Sequence, residues 1–197
     1  MGDPARRIAT YEDVLAAPEH RIAEVLDGEL FLMPRPAKPH AAATTALGGE
    51  LRLPFNRGRG GPGGWIFVWE PELHLGADIL VPDLAGWRRE RMPVMTNELP
   101  YFTLAPDWVC EVLSPRTQRT DRTRKLPIYA REGVGHAWLV DPLQRMLEVL
   151  RLDSGKWTVL GTWIDDALVR AEPFDAIELE LGLLWADVEL SDPPSDR

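Results

Sequence analysis

Asp107-Trp108-Val109-Cys110-Glu111-Val112-Leu113-Ser114-Pro115 is the stretch that decides the fold. Its apolar run, stopped by Ser-Pro, predicts a buried strand over 107–113. Strand alternation puts Val109, Glu111 and Leu113 on one face and Trp108, Cys110 and Val112 on the other. Glu111 therefore has apolar neighbours on its own side. An isolated ionised carboxylate there costs on the order of several kcal/mol, so it must be protonated, paired with a cation or bound to a metal.

Downstream, Thr120 caps a predicted helix over Asp121–Arg131 closed by Gly133, with Pro127 inside it implying a kink or a late start. A strand at His136–Val140 follows, then a hairpin pairing Met146–Leu152 with Lys156–Trp163 across Asp153-Ser154-Gly155, and an irregular tail over 164–197. Upstream, Arg88–Pro106 reads as a proline-punctuated loop. Trp65–Glu70, Leu73–Leu75 and Ile79–Trp87 read as strands, the last with Pro82-Asp83 inside it as an edge or bulge. Gly58–Gly64 is a flexible connection that lacks the Lys-Ser/Thr ending of a P-loop. His40–Leu53 carries Ala43, Leu47 and Leu51 at helical spacing and is stopped by Pro54. Arg21–Leu26 and Glu29–Met33 flank Asp27-Gly28, the signature of a type I′ hairpin. Arg6–Pro18 is a short helical entry capped by Thr10.

The chain has 197 residues, 22 Lys plus Arg against 31 Asp plus Glu, a net charge of −9 and an apolar share of 45%. That length predicts one domain with a core over roughly 21–163. The lone Cys110 excludes an intrachain disulfide framework and a thiolate-only zinc cage, and fits a reducing cytoplasm. The absence of a signal-like start or a long uncharged stretch predicts a soluble protein with no membrane partner. Acidity argues against a broad sequence-independent grip on DNA but leaves room for a local basic cleft. Arg116, Arg119, Arg122, Arg124 and Lys125 form such a run just after Glu111, although a charge run is usually only a solvated face.

Asp83, set between Val81-Pro82 and Leu84, raises the same question as Glu111. If the two acids converge from adjacent strands they make the hard oxygen site that Mg²⁺ prefers; taken singly, each is more simply an ion-paired structural carboxylate. His20, His74 and His136 lack zinc-ligand spacing, and Ser114 lacks a nucleophile elbow. Trp108 and Trp138 belong to core strands, while Trp87, beside Arg88 and Arg89, is a candidate for substrate contact.

Taken together, Val81-Pro82-Asp83, Val109 through Pro115, Arg124-Lys125-Leu126-Pro127-Ile128-Tyr129-Ala130, Gly133-Val134 and Trp138-Leu139-Val140-Asp141-Pro142 closely resemble the Uma-type restriction endonucleases of the PD-(D/E)XK nuclease superfamily. The likeness runs from Asp27-Gly28-Glu29-Leu30 to the hairpin ending at Trp163. It implies an α/β domain with a restriction-endonuclease-like mixed central sheet flanked by helices, and β-hairpins at both ends. It also implies a Mg²⁺- or Mn²⁺-dependent endonuclease that hydrolyses phosphodiester bonds in DNA. In that chemistry Asp83 and Glu111 hold the metal with the main-chain carbonyl of Val112, and Lys125 steadies water and phosphate. The usual lysine position, two residues after the Glu, is Leu113 here, and the group's helix lysine matches Lys125, with Arg122 and Tyr129 on the same helix side. Glu29 matches a carboxylate of the Asp-Gly-Glu-Leu element, with a role at the metal and a solvated turn acid as its two readings. His40 matches a His that opens the group's first long helix, where plain helix-end exposure is the simpler reading. The resemblance further implies nucleic acid as partner and action as a homodimer. The alternative is a nuclease fold that no longer cuts and binds nucleic acid or protein.

Overall fold

The computed structural model describes residues 7–188. The helical entry is α1 (Tyr11–Leu15), where the Asp13 carboxylate accepts the Thr10 N–H at 2.8 Å. Arg6, where that entry was expected to begin, lies outside the described residues. The first hairpin pairs β1 (Arg21–Leu26) with β2 (Glu29–Pro34), and Asp27 and Gly28 take the positive φ values of 51° and 78° that a type I′ turn needs.

Helix α2 (Lys38–Leu51) does not stop before Pro54. It opens into one wide turn, Arg52–Asn56, in which the Arg57 N–H reaches the Arg52 carbonyl at 3.1 Å. That widening accommodates a residue with no N–H and a bulky ring. After the glycine loop come β3 (Trp65–Trp69), β4 (Leu73–Leu75), β5 (Asp78–Leu80) and β6 (Leu84–Arg88). The expected single strand over Ile79–Trp87 is therefore two. Val81-Pro82-Asp83 is the crossing between a four-stranded sheet, ordered β2-β1-β5-β4, and a six-stranded one. Proline cannot donate to a ladder, so pairing ends where Pro82 stands.

The six-stranded sheet runs β10-β9-β8-β7-β6-β3, through β7 (Trp108–Val112), β8 (His136–Asp141), β9 (Met146–Asp153) and β10 (Lys156–Ile164). Within this sheet only β7 and β8 pair in parallel, with Glu111 opposite Leu139, and the helical segment between them makes the crossover that parallel pairing requires. That segment is α3 (Gln118–Thr120), a wide turn at Asp121–Lys125, and α4 (Leu126–Arg131). It begins three residues earlier than expected, after a turn in which the Ser114 Oγ accepts the Thr117 N–H at 3.2 Å and the Ser114 carbonyl accepts the Gln118 N–H at 3.0 Å, with Thr117 at the N-cap. The kink expected from Pro127 takes the form of the preceding wide turn.

Both faces of the large sheet are covered. Trp108, Cys110 and Val112 face a core with Leu47, Leu51 and Phe55 of the first long helix. Val109 and Leu113 face a second core with Leu126, Ile128 and Tyr129. Residues 164–188 are not an irregular tail, while 189–197 lie outside the described residues. The described part forms β11 (Leu168–Val169), β12 (Leu179–Glu180) and a 3₁₀ turn, Leu181–Leu184, and buries Val169, Phe174, Leu181, Leu184 and Trp185. The Phe174 ring sits 4.8–5.5 Å from those of Phe55, Trp65, Phe67, Trp108 and Trp138, so it completes the first core. Trp87, a candidate for substrate contact, is also core: it is fully buried, stacked on Phe102, and donates its indole N–H to the Leu104 carbonyl at 2.9 Å. Among the described residues no helix is long and apolar enough to cross a membrane.

Candidate functional site

Glu111 points from the middle strand of the large sheet toward the helix of the β7–β8 crossover, the face that alternation assigns it. There the Lys125 Nζ lies 2.8 Å from its Oε1 and 2.9 Å from its Oε2, and the Tyr129 hydroxyl donates to Oε1 at 2.6 Å. Lys125 closes the wide turn and Tyr129 follows one turn later in α4, so the helix presents both to one carboxylate. Arg122, expected on the same side, instead pairs with Glu148 of β9 at 2.8 Å.

Asp83 reaches the same cleft from the sheet crossing. Its Oδ2 accepts the Val112 N–H at 2.7 Å, and its Oδ1 lies 3.1 Å from the His40 Nε2 at the start of α2. Val112 thus enters the arrangement through its amide and is not among the residues lining the cleft. The cleft, about 430 Å³, is lined by Asp83, Glu111, Lys125 and His40 together with Glu24, Asp121, Arg35 and Arg116.

Glu29 is not brought there. It opens β2 opposite Leu26 at the turn end of the hairpin, and Glu24 of β1 supplies the hairpin's carboxylate instead. Its Oε1 accepts the Val81 N–H at 2.8 Å and lies 3.1 Å from Lys125 Nζ, which also donates to the Val81 carbonyl at 3.1 Å. Glu24 thus holds both the crossing that carries Asp83 and the lysine. The sequence signal was present: a lone acid inside Ile22-Ala23-Glu24-Val25-Leu26 repeats the pattern of Glu111 inside its strand. Of the expected basic run, only Arg116 and Lys125 line the cleft, and Arg124 lies 3.7 Å from Asp27.

Four carboxylates, Glu24, Asp83, Glu111 and Asp121, line this cleft against one ammonium. Burial pushes the Glu111 carboxyl well up; Lys125 opposes that, while Asp121, Asp83 and Glu24 add to it. Burial likewise raises Asp121 to about 6, against the pull of Lys125. Burial alone would lower Lys125, but Glu111 and Glu24 outweigh it and the ammonium is held well above its ordinary range. Tyr129 is pushed up by burial and then by Glu111, which keeps it a phenol donor. Burial, then Asp83 and Glu111, raise the Cys110 thiol, so it is no nucleophile. The cleft carries more buried negative charge than its lysine offsets.

The sequence profile described as "Putative restriction endonuclease", Uma2, matches residues 8–187. The chain belongs to the Uma2 family. A crystal structure described as "a putative nuclease belonging to DUF820" from Anabaena variabilis is similar at 25% identity and a TM-score of 0.72, over 90% of this chain and 98% of that one. No curated protein matches the sequence. The Uma2 assignment covers the large sheet, both hairpins and the segment after residue 163, so the aromatic closure around Phe174 lies inside the matched span.

Among the described residues no three His, Cys, Asp or Glu side chains form a ready-made metal-ligand cluster, since each key carboxylate is held by protein donors. The donor chemistry nevertheless fits a small hard cation. The acids are all oxygen donors, they converge on one cleft, and their excess negative charge is what a divalent ion offsets.

Proposed function

We propose that this chain is a divalent-metal-dependent endonuclease that hydrolyses phosphodiester bonds in DNA. One observation carries the reading: Lys125 stands 2.8 Å from Glu111 in the cleft that Asp83 lines, three residues from three separate elements. Family membership supports nuclease chemistry for a cleft so composed.

In this reading Asp83 and Glu111 hold Mg²⁺ or Mn²⁺, and Val112, whose carbonyl was the expected main-chain donor, contributes its N–H to Asp83 instead. Bound there, the ion supplies Lewis-acid polarisation of phosphate and acidification of water. The chain's own residues do the remaining work. His40 and the Val112 N–H fix the two oxygens of Asp83, and Tyr129 and Lys125 fix those of Glu111. Lys125 keeps its proton and places a positive charge where phosphate oxygens gain negative charge, exchanging its Val81 carbonyl bond for one of them. Arg35 and Arg116 on the cleft wall draw the polyanion in.

The test is nicking of supercoiled plasmid with Mg²⁺ and Mn²⁺, by the wild type and by Asp83→Ala. Metal-dependent nicking lost in the variant is the expected result. Salt-sensitive DNA binding with no cleavage under any divalent ion would replace this reading with that of a nuclease fold that binds without cutting.

A further inference from the structure

The cleft is not the only place where this acidic protein gathers positive charge. Arg52, Arg57 and Arg59 line one depression with Gly49 and Leu53. Arg52 also lines the next one, with Asn56, Trp69 and Arg89. Arg52 is therefore the ridge between the two, and four exposed guanidinium side chains share one continuous surface. Among the described residues no carboxylate lines either depression; Glu50, Glu70 and Glu90, the acids nearest in sequence, are outside both.

Elsewhere, six of the thirteen other described arginines, Arg7, Arg91, Arg122, Arg124, Arg131 and Arg151, each meet a carboxylate. Among the described residues none of Arg52, Arg57, Arg59 and Arg89 does so, and the Arg89 guanidinium donates to the Pro93 carbonyl. Their backbone is nonetheless anchored. The Arg59 N–H bonds the Leu53 carbonyl at 3.1 Å, the Gly63 N–H bonds that of Pro54 at 2.9 Å, and the Arg89 N–H bonds that of Gly64 at 2.8 Å. Positive φ at Gly58, Gly60, Gly63 and Gly64 lets the loop fold back in this way. Uncompensated like charges held together are tolerable when a polyanion neutralises them.

We propose that this surface is a second binding site for a nucleic-acid strand, with phosphates on Arg52, Arg57, Arg59 and Arg89 and a base against Trp69. This rests on the reading of the chain as a nuclease acting on nucleic acid. The Trp69 indole is 38% exposed and packs over Gly48, where an added Cβ would lie 2.3 Å from the ring, so the ring is buttressed from behind. Fixed aromatic faces beside arginines are how strands are held without sequence preference. From His40 at the cleft to Arg52, α2 rises about 18 Å, roughly five nucleotide steps of a duplex strand, so one substrate is long enough to meet both places.

The test uses the full chain in EDTA, where binding is read without cleavage, and a fluorescent oligodeoxythymidine of about 30 nucleotides as probe. The R52A/R57A/R59A variant should bind at least tenfold more weakly, with the slope of log K against log salt smaller by about two, since a single strand contributes about 0.7 per phosphate contact. Lysines at the same three positions should restore the slope, and Trp69→Leu should weaken oligonucleotide binding without changing it. Wild-type affinity and slope in the triple alanine variant would overturn the proposal. Arginine-dependent binding to phosphatidylserine vesicles with none to the oligonucleotide would also overturn it, assigning the surface to a membrane. Plasmid nicking is scored separately: lost nicking with intact arginine-dependent binding removes the nuclease reading alone, and intact nicking with arginine-independent binding removes this site alone.

Discussion

The Lys125 Nζ lies 2.8 Å from Glu111 Oε1, yet Lys125 comes from a wide helical turn and Glu111 from the neighbouring strand. The resemblance drawn from the sequence implies a lysine either two residues after the Glu or on the following helix, and the helix lysine is the one in contact with this Glu. Position 113 is a leucine, and its side chain packs in the core with Leu126 and Ile128. The charge at this carboxylate comes from the helix and not from the strand.

Removing that charge should be costly twice. Lys125→Ala leaves Glu24 and Glu111 buried beside each other with no cation, and breaking a buried pair from one side costs about 3–5 kcal/mol. Urea denaturation should show a loss of that order, while divalent-ion binding by calorimetry persists and plasmid nicking falls at least about 100-fold. Full nicking activity in this variant would reassign the lysine.

Asp83 is predicted to behave in the opposite way. Asp83→Ala removes the acceptor of the Val112 N–H, an interaction between unlike partners that is worth about 1.5–3 kcal/mol with a charged acceptor. Its larger effect should be on the ion: calorimetric Mn²⁺ binding disappears, and so does nicking. Unchanged ion affinity in both Asp83→Ala and Glu111→Ala would remove the assignment of these two as ligands.

Glu24 and Glu29 should separate cleanly. Glu24→Gln keeps an acceptor for the Val81 N–H but withdraws one negative charge from Lys125, so nicking should fall about tenfold further than in Glu29→Gln. The pH profile of the Glu24 variant should also move, because the lysine's proton is then held by Glu111 with less help. An equal fall in both variants would return the hairpin's role to Glu29.

What the sequence disclosed, and what it withheld, follows from the range of the interactions involved. Glu111 was legible because one acid interrupts an apolar strand, and alternation already named the face it occupies. Glu24 carries the same signature, but its importance comes from β5 pairing with β1 and delivering Val81 to it, a contact 57 residues apart that periodicity cannot see. Pro82 marked a break, although reading a switch between two sheets needs the partners of both halves. The closing segment stayed hidden because β11 and β12 have two residues each, too few to show any period, while Phe174 contributes through ring contacts to five distant aromatics.

Asp121 supplies the pH dependence. Its carboxyl is raised from 3.8 to about 6, first by burial, so the folded state holds this proton more tightly than the unfolded chain does. Such a group contributes stability that is full below pH 3.8 and is lost as pH rises through about 6. At about 1.4 kcal/mol per unit, the loss is on the order of 3 kcal/mol. In EDTA, the midpoint of urea unfolding should therefore decline for the wild type relative to Asp121→Asn across that window, with the asparagine variant the more stable of the two at pH 7. Adding Mn²⁺ should narrow the difference, because the ion offsets the negative charge that the asparagine removes. Parallel stability profiles for the two proteins from pH 4 to 7 would show that burial does not raise the Asp121 carboxyl.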